Sequence, residues 1–354
     1  MCLFLLRTAD AFSNTQPAVI MKKKSQLAFY IFSIAAFAFV VYYFSVIRSD
    51  IKLIDEVNVL WLSVSILAQL ATYLFSALIY YRLVKIFQPS MQITIWQLYQ
   101  ASIVALFTNQ LVPLAGISGN IFFYNFLRGE KISVQNIIRI VIVELLTFYV
   151  AAALIILVAL AVYLSFYKTT LLLIIMLIAG VFIYALFGFC ITLIGKRETV
   201  NKLCIKLSKI KLLRKHADKL KKFVSENNSN LRSGLPSIIQ YKQQLVPVAV
   251  LEAGTFLADM FTVCALFHGL GVFTTFSTVF VAFILAKIIS LLPISPGALI
   301  VYESSLTFFL VKLGAPVGTA VIVTLLFRVL SFWLPMPAGF LLSGKLHHGR
   351  YVTE

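Results

Sequence analysis

Glu144, Glu252, Asp259, Glu303 and Arg328 stand inside long apolar runs, where an ionisable side chain is expensive to keep. Isolated at the centre of a bilayer, Arg328 in TLLFRVLSFWLP would cost at least about 2.5–3.5 kcal/mol, so it should face protein or water and have a partner. Glu303 is the predicted partner. It follows the Pro- and Gly-broken stretch LLPISPG, on the short apolar segment just before the span that carries Arg328. Such a pair has two uses: it fixes one segment to another, or it receives the polar group of a ligand. Glu252 and Asp259 are seven residues apart and share a helix face, while Glu144 sits at mid-depth in its own span. These three carboxylates suit proton or cation handling, or simply a polar face toward neighbouring helices or water. Lys287, Lys312 and Arg139 fall nearer the ends of apolar runs, where long side chains snorkel to the interface. Asn109 and Asn120 flank a second interruption, NQLVPLAGISGN, where an amide either caps exposed backbone or contacts a head group.

The elements that hold these residues follow from composition. Of 354 residues 61% are hydrophobic and only 12% are charged, against about a quarter charged in an average soluble domain, so the chain is a membrane protein. A formal charge of +17 would suggest nucleic acid in a soluble protein. Here the basic residues lie mostly between apolar spans, as the positive-inside rule requires, and nucleic-acid binding is not expected. Cys2, Cys190, Cys204 and Cys264 are scattered, with neither a disulfide framework nor ligand spacing. His216, His268, His347 and His348 gather no metal cluster with them, and no cofactor is implied. A membrane transferase or phosphatase would need convergent His, Asp or metal-ligand residues, and none stand out, so the chain is not expected to be an enzyme.

MKKKSQLAFYIF, from Met21, has the ordinary form of a membrane-protein start, and residues 1–20 read as an extension or disordered N-terminus ahead of a single transmembrane domain at 21–354. Continuous spans are predicted at 27–47 (an uncleaved signal anchor), 59–81, 134–163, 169–195, 245–267 and 315–343. Lys22, Lys23, Lys24, Arg82, Lys85, Arg128, Lys131, the basic segment 196–244, Lys345 and Arg350 all fall on one side if each of two interrupted regions, 96–127 and 273–313, enters and leaves on the same face. That side is predicted to be cytoplasmic and to hold both termini of a protein of the plasma membrane.

Each interrupted region has a long leg and a short one. The return leg from Ile117 to Leu127 rises only about 16 Å at helical pitch, half a bilayer. Both regions read as re-entrant helical hairpins, the first open to the cytoplasm and the second to the outside. Span, hairpin, span then occurs twice with opposite orientation, an inverted repeat whose breaks mark the substrate site in transporters. The predicted fold is an all-α polytopic membrane protein with about six full transmembrane helices plus two re-entrant helical hairpins in an inverted repeat. Ten simple spans kinked at proline are the plainer alternative. Within 196–244, Leu203, Leu207, Ile210, Leu213, Ala217, Leu220 and Val224 recur at three- and four-residue steps among Lys and Arg. That pattern is an amphipathic helix, either lying on anionic lipid head groups through residues 200–224 or merely solvated.

The interrupted segments resemble the transmembrane region of lysylphosphatidylglycerol synthases, a flippase-like family also found as free-standing membrane proteins. The resemblance covers nearly all of the chain from Met21. It is carried most specifically by LLPISPGALIVYESSLTFFLVKLGAP and LFRVLSFWLPMPAG: Pro293, Pro296, Gly297, Glu303, Gly314, Arg328 and Gly339 fit the family pattern. The N-terminal counterpart supplies Asn109, Pro113, Gly116 and Gly119. Ala298 and Ile300 depart from the usual glycines, and Leu145 follows Glu144 where an acidic–Arg pair is usual. No loop has room for the soluble aminoacylating domain of the synthases, so aminoacyl transfer is not expected. The resemblance implies movement of an amphipathic phospho- or polyprenyl-type lipid between leaflets, or a non-transporting role beside enzymes of envelope lipid or glycan synthesis. Membrane lipids are the expected partners. The candidate substrate-contacting residues are Asn109, Pro113, Gly116, Gly119, Pro293, Pro296, Gly297, Glu303 and Arg328. Arg328 suits an anionic head group; the surplus of acids suits a cationic one or proton coupling.

Overall fold

A computed structural model describes residues 57–111, 118–167, 170–194, 242–290 and 301–348. They fall almost wholly in one compact unit, Lys52–Phe189 with Tyr241–Glu354; of a second unit, Met1–Ile51 with Cys190–Gln240, only residues 190–194 are among them. The expected span 27–47, the extension 1–20 and the amphipathic stretch 203–224 lie outside the described residues.

Everything regular in the described residues is helical: α1 Val59–Phe87, α2 Ile95–Leu111, α3 Ser118–Gly129, α4 Val134–Phe166, α5 Leu171–Ile194, α6 Lys242–Gly269, α7 Phe276–Ser290, α8 Val301–Lys312, α9 Val317–Arg328 and α10 Pro335–His348. Five stretches among them are long and apolar enough to cross a membrane, namely α1, α4, most of α5, most of α6, and α9 running into α10. The protein is therefore an all-helical integral membrane protein. Leu67 and Leu74 of α1, Leu154 and Val158 of α4, and Phe182 and Phe189 of α5 remain exposed, as befits faces whose solvent is lipid.

Local signals set the helix ends. Asn58 caps α1, its side chain accepting from the Leu60 N–H at 2.9 Å, and the Ser133 hydroxyl accepts from the Asn136 N–H to open α4. Just past α8, Gly314 takes a φ of +106°, a conformation open to glycine and closed to most side chains.

The interrupted regions are pairs of short helices packed leg against leg, α2 on α3 and α7 on α8. With 17, 12, 15 and 12 residues, the legs rise only about 26, 18, 23 and 18 Å. Each is shorter than the roughly 30 Å hydrocarbon core. The leg α7 is buried on almost every face from Thr278 to Ile288, so it is shielded by protein rather than by lipid.

The helix that precedes each pair provides the main seam of the unit. α1 and α6 share its most extensive interface, and they run antiparallel. The Asn58 N–H at the start of α1 donates to the Gly269 carbonyl at the end of α6 at 2.8 Å. Farther along, Thr72 meets Asp259 and the Phe75 ring lies over Gly254. The two helices, each of which precedes a pair of short legs, thus point in opposite directions. Packing also links the two interrupted regions: α4 packs on α6 and α7, and α10 packs on α2.

The last span is less regular than its hydropathy predicts. Between α9 and α10 the chain makes a π-helical turn at Val329–Trp333, with the Leu334 N–H donating to the Val329 carbonyl at 2.8 Å. Pro335 explains it. Lacking an N–H, Pro335 cannot bond the Ser331 carbonyl one turn back, and that carbonyl instead accepts from Gln110 Nε2 of α2 at 3.4 Å.

A candidate head-group site at the second break

Breaking a helix inside a bundle leaves two helix ends there, with exposed carbonyls on one and exposed N–H groups on the other. The second interrupted region places a side chain of fitting sign at each. Lys287 lies in the last turn of α7 and Glu303 in the first turn of α8, where the helix dipoles favour a cation and an anion respectively. Each then pairs with a neighbouring helix. Arg328 of α9 donates from Nε to Glu303 Oε1 at 2.5 Å, with side chains only 13% and 17% exposed. Lys287 Nζ lies 3.5 Å from Asp259 Oδ2 of α6.

Tyr302 stands between the two ion pairs. Its ring centroid is 4.9 Å from the Arg328 guanidinium and 5.7 Å from Lys287 Nζ. Phe332, in the π turn, adds a second ring 5.0 Å from Arg328, and Phe283 one 5.1 Å from Lys287. These are cation–π distances, and they hold both cations on aromatic surface. Asp259 is held from its other side, where Oδ1 accepts from Thr72 Oγ1 at 3.1 Å and Gln69 Nε2 at 3.4 Å on α1. Among the described residues, the Tyr302 hydroxyl and Glu303 Oε2 are buried without a hydrogen-bond partner.

The first interrupted region is served by amides. Asn109 Oδ1 of α2 accepts from the backbone N–H of Gly119 and from the Ser118 hydroxyl at 3.2 Å, capping the start of α3. Gly119 is required by this closeness, because a Cβ there would run into the Asn109 side chain and the Ala105 carbonyl. Asn120 Oδ1 accepts from the Tyr80 hydroxyl of α1 at 3.5 Å. Both asparagines therefore serve protein groups, and the break itself carries no charge among the described residues.

The three remaining acids divide. Asp259 belongs with Lys287. Glu144 and Glu252 are electrostatic neighbours of each other and of Tyr80, where α1, α4 and α6 meet. Glu252 is 4% exposed, and Glu144 Oε2 and Glu252 Oε1 have no hydrogen-bond partner among the described residues. The helix face shared by Glu252 and Asp259 does exist, since both look toward α1, but it serves two separate places along the seam.

Lys287 corrects the expectation of a snorkelling end. It is an end residue, but the end is that of a leg whose other faces are buried, and the amine meets Asp259. Its signal was a cation within one turn of a helix break. Pro113, Gly116, Pro293, Pro296 and Gly297 lie outside the described residues. Among those described, no group of three His, Cys, Asp or Glu side chains is placed to hold a metal.

An all-helical bundle with several stretches of membrane length, paired short legs and ionic contacts at an internal break defines a polytopic membrane protein. More particularly, the chain belongs to the family described as the lysylphosphatidylglycerol synthase TM region, whose profile matches residues 27–339. It is also similar to a UPF0104 membrane protein of Methanothermobacter thermautotrophicus, 29% identical over 119 residues, a match that covers 32% of this chain and 36% of that protein. No solved structure matches.

Proposed function

We propose that the protein moves an amphipathic lipid between the leaflets of the plasma membrane, with α2–α3 and α7–α8 as re-entrant hairpins entering from opposite sides. The observation that carries this reading is the Glu303–Arg328 pair, held beside an internal helix break with side chains only 13% and 17% exposed. A buried ion pair adds little or no stability over packed apolar residues of similar volume. A site for a polar head group does need the two charges, while acyl chains stay in lipid alongside. No bond is made or broken, and no enzymatic step is required. Glu144 and Glu252, two buried carboxylates without a basic partner among the described residues, are the place where a proton or cation would couple to the movement. Both termini and the basic stretch 196–244 lie on the cytoplasmic side in this reading, where residues 200–224 meet anionic head groups.

Purified protein in liposomes, assayed for transbilayer movement of labelled phospholipids and polyprenyl phosphates, tests it. Accelerated movement of at least one lipid supports the reading; no acceleration of any anionic, cationic, zwitterionic or polyprenyl lipid overturns it. In that event the dense basic segment favours the second reading, a non-transporting partner that docks enzymes of envelope lipid or glycan synthesis.

A further inference from the structure

The two ion pairs at the second break are usually separate matters in a membrane bundle, each a local tie between helices. Here one side chain joins them. Tyr302 lies within cation–π distance of both Arg328 and Lys287, and its hydroxyl sits in the electrostatic field of Asp259, Arg328 and Glu303. Tyr302 is 4% exposed, yet the hydroxyl has no hydrogen-bond partner among the described residues. A buried phenol without a partner among charged groups points to a ligand atom that would complete it. Glu303 Oε2 is in the same condition.

Counting charge around that phenol, Lys287 and Arg328 balance Asp259 and Glu303. The quartet is net neutral, with both cations on the Tyr302 ring and a carboxylate paired to each, drawn from α6, α7, α8 and α9. A head group with net charge would leave this interior unbalanced, at the cost of burying an uncompensated ion. A head group that carries both signs can exchange with it. Its phosphate replaces a carboxylate on Arg328 or Lys287, its ammonium takes the freed carboxylate, and the Tyr302 ring, already against both cations, is the aromatic neighbour of the exchanged charges. Lys287 is the most open of the four charged side chains, at 34% exposed against 14% for Asp259, so it stands on the accessible side.

We infer that Asp259, Lys287, Tyr302, Glu303 and Arg328 form one binding site for a zwitterionic phospholipid head group, a phosphate joined to an ammonium. The inference rests on the proposed lipid-handling role and names its substrate class.

The test uses the full chain in liposomes of an uncharged, phosphate-free host lipid, digalactosyldiacylglycerol, with trace amounts of three lipids: phosphatidylethanolamine, phosphatidylglycerol, and a cationic diacyl lipid without phosphate. Rates of transbilayer movement are read with membrane-impermeant head-group reagents or back-extraction, and lipid retained by the purified protein is weighed by native mass spectrometry. Phosphatidylethanolamine is expected to move at least about ten-fold faster than either singly charged lipid and to be retained preferentially. Asp259→Asn makes the quartet cationic and is expected to shift the preference toward phosphatidylglycerol; Lys287→Met makes it anionic and is expected to shift it toward the cationic lipid. Opposite shifts separate the site from simple loss of folding. Equal handling of the three lipids by the wild type, or the same preference in wild type and both variants, overturns the inference. Selective retention of phosphatidylethanolamine with no movement of any lipid upholds the head-group site and removes the transport reading instead.

Discussion

Removing the guanidinium of Arg328 should cost far more than removing the whole Glu303–Arg328 pair. In Arg328→Met the carboxylate of Glu303 loses its ionic hydrogen bond, and Tyr302 and Phe332 lose the cation at 4.9 and 5.0 Å. A charged hydrogen bond contributes about 1.5–3 kcal/mol, and each ring contact about 0.5–1 kcal/mol. Breaking a fully buried pair costs about 3–5 kcal/mol; with side chains 13% and 17% exposed, some water reaches the remaining charge and the lower end applies, about 3 kcal/mol. In the double variant Arg328→Met with Glu303→Leu no charge is left behind, and the Met thioether retains contact with both rings. It should come within about 1 kcal/mol of wild type, and so be about 2 kcal/mol more stable than the single variant, or roughly thirty-fold in the folded-to-unfolded ratio. Equilibrium unfolding in mixed micelles of increasing denaturing detergent measures the three stabilities, and the liposome assay measures movement, which both variants should lose. A single variant as stable as wild type, or a double variant no better than the single, would refute the energetic argument. Wild-type movement by Arg328→Met would remove the site.

At the first break, Asn109→Ala deletes the cap on α3 and should lower stability by about 1 kcal/mol in the same unfolding assay, while Gly119→Val, which drives a side chain into Asn109 and the Ala105 carbonyl, should cost more and reduce folded yield. Lys131 turns the chain between α3 and α4 with a φ of +60°; Lys131→Gly should stabilise by up to about 1 kcal/mol by relieving that conformation, with movement unchanged. Orientation is checked by single cysteines introduced in a background without native ones. A cysteine at Lys131 should label with impermeant maleimide only from the cytoplasmic face, and one at Gly271 only from outside.

Much of this arrangement was legible because lipid leaves so few options. Long apolar runs marked α1, α4, α5 and α6 to within a few residues at most ends, and the price of an unpaired Arg328 pointed to Glu303 across 25 residues. Contacts that depend on which helices are neighbours were not legible. Lys287 and Asp259 meet because α7 packs beside α6, and nothing along the chain states that adjacency. Glu144 and Glu252 could be seen as buried acids, but not as a pair separate from Asp259. The π turn was half visible: Pro335 announces that Ser331 loses a donor, yet the donor that replaces it, Gln110, lies 221 residues away.

The antiparallel seam between α1 and α6 bears on how such a molecule would work. Two halves that share one architecture but face opposite ways need not be in the same state at the same instant. If one half adopts the posture of the other, and the other reciprocates, the backbone arrangement is that of the same molecule viewed from across the membrane, although amides hold one break and ion pairs the other. In the transport reading proposed above, a seam of this kind would let a single chain present its interior to either leaflet.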